Sequence, residues 1–104
     1  MSIYHTVFLK LKPEVSLANF MQLMDQLKRF AKGIPGCLDL HAGQNISVEG
    51  VSQGYNFALT ALFKDEKARD AYLVDPEHLA LAGKIVECTV DGVQGVIVCD
   101  IASK

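Results

Sequence analysis

Tyr72 and His78 stand on either side of Asp75-Pro76, and a phenol beside a neutral imidazole is an acid/base pair. Asp75 can accept a hydrogen bond from a free N–H of a helix's first turn, and Pro76 at the first helical position gives up no bond it would otherwise make. The dipeptide therefore predicts a helix start, with His78 in its first turn. The positive end of the helix dipole disfavours imidazolium there, so the ring is expected to be neutral, with one nitrogen free to take a proton. Tyr72 closes the preceding helical run, Asp65 to Leu73, and reaches the same pocket if the chain bends at Val74 and Asp75. The competing reading is structural: Tyr72 is an amphipathic core residue and His78 an exposed first-turn residue.

The elements that must position this pair follow from hydrophobic periodicity. Ile3 to Lys12 reads as a strand with Ile3, His5, Val7, Leu9 and Leu11 on one face and Tyr4, Thr6 and Phe8 on the other, ended by Pro13. Phe20, Leu23, Met24, Leu27, Phe30, Ala31 and Ile34 recur at three-and-four spacing, which predicts an amphipathic helix from Ser16 to about Lys32, closed by Gly33. Cys37 to Ile46 reads as an edge strand with one wetter face, and Tyr55 to Phe63 as a strand apolar on both faces. A helix over Asp65 to Leu73 follows, then a second from Pro76 to about Thr89, a turn at Asp91-Gly92, and a last strand from Val93 to Ile101.

The order βαββαβ is the ferredoxin-like arrangement: a four-stranded antiparallel sheet in the order 4, 1, 3, 2 with the helices on one face, an α+β fold. The first and last strands are then neighbours, and His5 and Asp100 come close. The uncovered face, built from strands 1, 3 and 4, would be a large apolar patch. A second copy packed sheet against sheet is the simplest cover, which predicts a homodimeric α/β barrel. A charge at the centre of that face should dissociate or unfold the protein. The third strand is the place for it, at Phe57 or Leu59, or at Ala58 if the strand has the opposite parity.

Length and composition set the outer limits. The 104 residues predict one domain spanning 1–104, and a net charge of −2 with scattered lysines and arginines makes nucleic acid and membrane poor partners. The start of the sequence carries no basic segment followed by an apolar run, so the chain is expected to be cytoplasmic. Cys37, Cys88 and Cys99 form no C-x-x-C pair and read as reduced core thiols. His5, His41 and His78 fall on three elements with no His-x-His or i, i+4 pair, so no metal site and no cofactor is expected. His41 reads as a solvated residue on the edge strand; His5, between Thr6 and Tyr4 but on the face of Val7 and Leu9, is either a satisfied core histidine or part of the pocket.

The chain resembles the stress-responsive A/B barrel family, abbreviated Dabb, over nearly its whole length. The resemblance rests on the opening His5-Thr6-Val7-Phe8-Leu9-Lys10-Leu11-Lys12, on Ile34-Pro35-Gly36, and on Gly54-Tyr55 followed by Phe57-Ala58-Leu59. Arg69-Asp70-Ala71-Tyr72, Asp75-Pro76-Glu77-His78 and Val98-Cys99-Asp100-Ile101 complete it. It implies a homodimeric α+β barrel and an association with stress responses, with little about activity. Plant polyketide cyclases of this family close poly-β-keto chains by aldol chemistry without metal or organic cofactor. By that resemblance Tyr72 and His78 match the acid/base pair, Asp100 the supporting aspartate and His5 a first-strand histidine of the ligand pocket. The family's usual histidine before the proline is Asp75 here.

Three functions follow. The first is a homodimer with a small-molecule pocket, formed around His5, Tyr72 and His78, for a small apolar or carbonyl-bearing ligand. The second is a cofactor-independent enzyme of cyclase or isomerase type acting on a β-dicarbonyl-like substrate, with His78 as base, Tyr72 as acid or oxyanion donor, and Asp100 orienting the imidazole of His78. The third is a monooxygenase-like α+β barrel; a haem-degrading member would be expected to carry a tryptophan near its pocket, and the chain has none. A buried pocket joining Tyr72 to His78 separates the second from the rest. If Asp100 touches His78, its carboxylate should outweigh the helix end and raise the proton affinity of the ring.

Overall fold

The computed structural model describes residues 1–104. Strand β1 (Ser2–Leu9) is followed by helix α1 (Leu17–Lys32), strands β2 (Cys37–Gln44) and β3 (Phe57–Phe63), helices α2 (Glu66–Val74) and α3 (Pro76–Glu87), and strand β4 (Val96–Ser103). The strands form one antiparallel sheet in the order β2, β3, β1, β4. This is the ferredoxin-like order that the sequence predicts, with β2 and β4 at the edges. None of the helices is long and apolar enough to cross a membrane.

Each helix begins where a short polar side chain can accept from its first turn. Ser16 Oγ accepts from the Asn19 N–H (3.3 Å), Asp65 Oδ1 from Ala68 (2.8 Å) and Asp75 Oδ1 from Glu77 (2.8 Å). Such a cap contributes about 1 kcal/mol to a helix. Asp75 also ends α2, because its extended backbone (φ −63°, ψ 131°) breaks the helix one residue before Pro76 restarts it. Helix α1 buries Phe20, Met24, Leu27 and Ala31 against the sheet, with the Phe20 ring edge-on to Phe57 at 4.9 Å between centroids.

Strand parity assigns every sheet residue to one of two faces. Ile3, His5, Val7 and Leu9 of β1 and Phe57, Leu59, Ala61 and Phe63 of β3 are buried beneath the helices. Tyr4, Thr6, Phe8, Ala58, Thr60 and Leu62 point the other way, where no helix covers them. On β4, Ile97, Cys99 and Ile101 are paired opposite Phe8, Thr6 and Tyr4 and extend that open face. The open face is apolar, as expected, but Phe57 and Leu59 are not on it. Ala58 is on it, opposite Phe8, so the strand has the opposite parity; the middle outward residue of β3 is Thr60, opposite Thr6.

Four expected strand boundaries also change. The first strand stops at Leu9, and Leu11 adds only an isolated bridge to Thr89. The second strand stops at Gln44 and the third begins at Phe57, leaving Asn45–Asn56 as the connection. The last strand begins at Val96, because Asp91 and Gly92 take positive φ (58° and 62°) and Gly92–Gly95 forms a 3-10 turn. The hydroxyl of Thr89 binds that turn to the end of α3, lying 2.6 Å from the Gly92 carbonyl and 2.7 Å from that of Val86. Cys99 is exposed on the open face and is not a core thiol, while Cys37 and Cys88 are half-buried.

Candidate functional site

The bend at Val74-Asp75 brings the last turn of α2 against the first turn of α3, and the rings of Tyr72 and His78 meet with their centroids 4.3 Å apart. A helix end leaves carbonyls without partners. His78 supplies one: its Nδ1 lies 3.3 Å from the Leu73 carbonyl. A carbonyl can only accept, so Nδ1 carries the proton and Nε2 of the neutral ring is left with a free lone pair. His78 is half-buried, not exposed.

Tyr72 is 1% exposed, stacked among Phe63 (5.0 Å), Phe30 (6.0 Å) and His5 (6.2 Å). Burial pushes the ionisation of its phenol far above the ordinary value of 10.0, with the Cys37 thiol adding in the same direction. The group is therefore a fixed hydrogen donor at neutral pH. Its hydroxyl takes no partner within the protein, and no buried side-chain polar atom is both sealed and unpaired. The oxygen therefore keeps some accessible surface.

A cavity of about 340 Å³ lies between the sheet and helices α1, α2 and α3. His5, Tyr72, His78 and Asp100 all line it, together with Val7, Leu9, Leu59, Leu73, Ile85 and Val98 among its mainly apolar walls. The size is at the lower end for small-molecule sites, and a few convergent polar groups in an apolar cleft are their usual composition. Its weakest wall is the β4 edge, where Val98 is 57% exposed. A larger and shallower cleft of about 610 Å³ runs between α1 and the start of α3, lined by residues such as Gln26, Arg29 and Glu77, and holds neither a histidine nor a tyrosine.

His5 and Asp100 are directly paired across β1 and β4. Asp100 Oδ1 accepts from His5 Nδ1 at 2.7 Å, and its other oxygen accepts from Arg69 Nη1 at 2.8 Å. Burial would raise the Asp100 carboxyl, but the Arg69 guanidinium and then His5 more than offset it and hold the group below its ordinary 3.8. Arg69 is held in turn by Asp70, which accepts from Nε at 2.8 Å, and the two carboxylates push its proton affinity up.

Both oxygens of Asp100 are thus taken, and neither partner is His78. Asp100 contacts His5, and not the His78 ring that it was expected to orient. His78 still has its proton affinity lowered, as the sequence suggests, but the largest cause is burial, with neighbouring His5 adding to it and the Leu73 carbonyl and Asp75 opposing. Arg69 is the site residue that residue-by-residue reading missed. Its signal was available: three positions before Tyr72 on one helix, it shares that residue's face. His41, on the open side of β2, donates from Nε2 to Asp39 at 2.8 Å and takes no part in the cavity.

The model of the stress responsive A/B barrel domain matches residues 3–102. The chain belongs to this family. No protein of curated function matches this A/B barrel protein. Among solved structures it is similar to a dimeric ferredoxin-like protein of unknown function from Jannaschia sp. CCS1, 30% identical over 99% of this chain and 100% of that one, with a TM-score of 0.92. The A/B barrel fold also matches the hydroxynitrile lyase of Passiflora edulis, at 16% identity over 99% of this chain and 94% of the other, TM-score 0.84. A third match is SnoaB, a cofactor-independent oxygenase from Streptomyces nogalater, at 12% identity over 99% and 93%, TM-score 0.78. At such identities the last two show the fold alone.

Proposed function

We propose that this A/B barrel protein is a homodimer whose subunits each hold a small apolar, carbonyl-bearing compound and can move a proton on it without a cofactor. One observation carries the reading: Tyr72, His78 and His5 all line one largely apolar cavity. A carbonyl oxygen seated there would accept from the Tyr72 hydroxyl, and His78 Nε2 would take the proton from the adjacent carbon. The charge that develops on oxygen then meets a donor already in place and shielded from water, which is where such a donor contributes most. His5, backed by Asp100, is a second nitrogen base on the same wall.

Homodimerisation is supported by the open sheet face and by the dimeric ferredoxin-like protein from Jannaschia. Packing of that face on a second copy would remove Tyr4, Phe8, Ile97 and Ile101 from water, all of them exposed in the single chain. An enzyme of this fold is supported by the hydroxynitrile lyase and the cofactor-independent oxygenase, which bear those activities in their names.

The test is deuterium incorporation beside the carbonyl of 2-octanone in D2O, followed by NMR, together with shifts of the cavity methyl resonances on adding the ketone. Exchange above the buffer rate that disappears in Tyr72→Phe and His78→Ala supports proton transfer. Methyl shifts without exchange would leave a binding protein, and neither shifts nor exchange would sink the whole reading.

A further inference from the structure

Asp100 lies on an edge strand beside the most exposed wall of the cavity, where an unrestrained carboxylate would rotate and hydrate. Here each oxygen has one protein donor, His5 Nδ1 at 2.7 Å and Arg69 Nη1 at 2.8 Å, which restrains it. The guanidinium is itself fixed, since its Nε donates to Asp70 at 2.8 Å. A planar fork can serve two carboxylates from two of its nitrogens at once, which a lysine ammonium on a flexible stem cannot do with the same geometry. Helix α2 packs chiefly on β1, β3 and α3, and Arg69 carries its influence one strand further, to β4.

We propose that Arg69 is a positioning residue for His5: by holding one oxygen of Asp100 it turns the other onto His5 Nδ1, and so fixes the imidazole with Nε2 free toward the cavity. A carboxylate only accepts, so the contact dictates the tautomer. The two imidazoles beside Tyr72 then have the same tautomer for different reasons. His78 is set by a main-chain carbonyl within its own helical corner, and His5 by a side-chain network that reaches the surface at Asp70. Losing Arg69 should therefore disturb one imidazole and spare the other. The inference takes the cavity to be the working site, but its test requires no ligand and fails separately from the ketone experiment.

The experiment is long-range ¹H–¹⁵N spectroscopy of the histidine rings in the full-length protein, with His5 assigned from a His5→Gln variant. The unaltered protein should show His5 as a single Nδ1–H tautomer with a slowly exchanging, downfield Nδ1 proton. In Arg69→Met that proton should exchange with water faster by about tenfold, the factor for losing one charge-assisted hydrogen bond, and the second tautomer should appear. Arg69→Lys should fall between the two, and His78 should be unchanged in both. Asp70→Asn, at an exposed position where folding is not at risk, should show the same change on a smaller scale. An unaltered His5 tautomer and exchange rate in Arg69→Met would overturn the proposal. Equal disturbance of His5 and His78 would overturn it too, since that would mean general loosening. If Arg69→Met does not fold, an unaltered His5 in both Arg69→Lys and Asp70→Asn decides against it.

Discussion

Ala58 and Leu59 are neighbours in β3 that face opposite sides of the sheet, and a carboxylate placed on each should produce two different failures. Ala58 is half-buried in the single chain and lies on the open face opposite Phe8. Ala58→Asp should leave the isolated subunit folded, because water reaches the new charge. In a sheet-to-sheet dimer the charge loses that water, at an effective cost of several kcal/mol per ion. A two-fold interface repeats every residue. Taking about 3 kcal/mol per copy gives about 6 kcal/mol per dimer, or roughly four orders of magnitude in Kd. Leu59→Asp instead buries an unpaired carboxylate under the helices and deletes a core side chain. A loss above about 5 kcal/mol from a domain holding about 5 to 15 should sharply destabilise or abolish the fold. Sedimentation equilibrium at low micromolar concentration and far-ultraviolet circular dichroism read both outcomes. Ala58→Asp that still associates with unaltered affinity would refute the use of this face, and Leu59→Asp that folds normally would refute the parity.

Tyr72→Phe removes a hydroxyl with no protein partner, so stability in urea should change by less than about 0.5 kcal/mol while exchange into 2-octanone is lost. His78→Ala also strips the Leu73 carbonyl of its donor, and should cost about 0.5 to 1.5 kcal/mol in the same melts. Acid should weaken the fold in two stages. Because the His78 ring binds its proton less readily when folded, its contribution is complete above the ordinary 6.5 and is lost as pH falls through the lower folded value. Asp100, held below 3.8 when folded, contributes fully above that value and loses its contribution as pH falls further. Urea melts between about pH 8 and pH 3 should show both stages, with only the upper one flattened in His78→Gln.

Much of this architecture was legible because it rests on local chemistry. Ser16, Asp65 and Asp75 announce their helices, and the three-and-four spacing from Phe20 to Ala31 gives the buried face of α1. The approach of His5 to Asp100 follows from topology alone once the first and last strands are neighbours. The parity of β3 was not legible, since Phe57 and Leu59 on one side and Ala58 and Leu62 on the other are all apolar. Nor was the start of β4: Val93 has a strand former's side chain, but the left-handed backbone of Asp91 and Gly92 turns it into solvent. The neutrality of His78 was expected from the helix end, whereas burial is its main cause. The spacing of Arg69 from Tyr72 marks its helix face, but its partner Asp100 lies on another element, and a long-range ion pair leaves no spacing of its own to read.

The alternation in β1 has a consequence for how such a protein can change over generations. Odd-numbered residues from Ile3 to Leu9 look into the cavity side, and Tyr4, Thr6 and Phe8 look out. One strand therefore writes two messages in alternate letters, one addressed to the cavity and one to whatever covers the sheet. Substitutions can revise either message while leaving the other readable. Insertion or deletion of a single residue exchanges them, sending His5 outward and Tyr4 or Thr6 into the cavity. Diversification of this scaffold is thus expected to proceed through substitutions in its strands, with length variation confined to connections such as Asn45–Asn56, where neither message is carried.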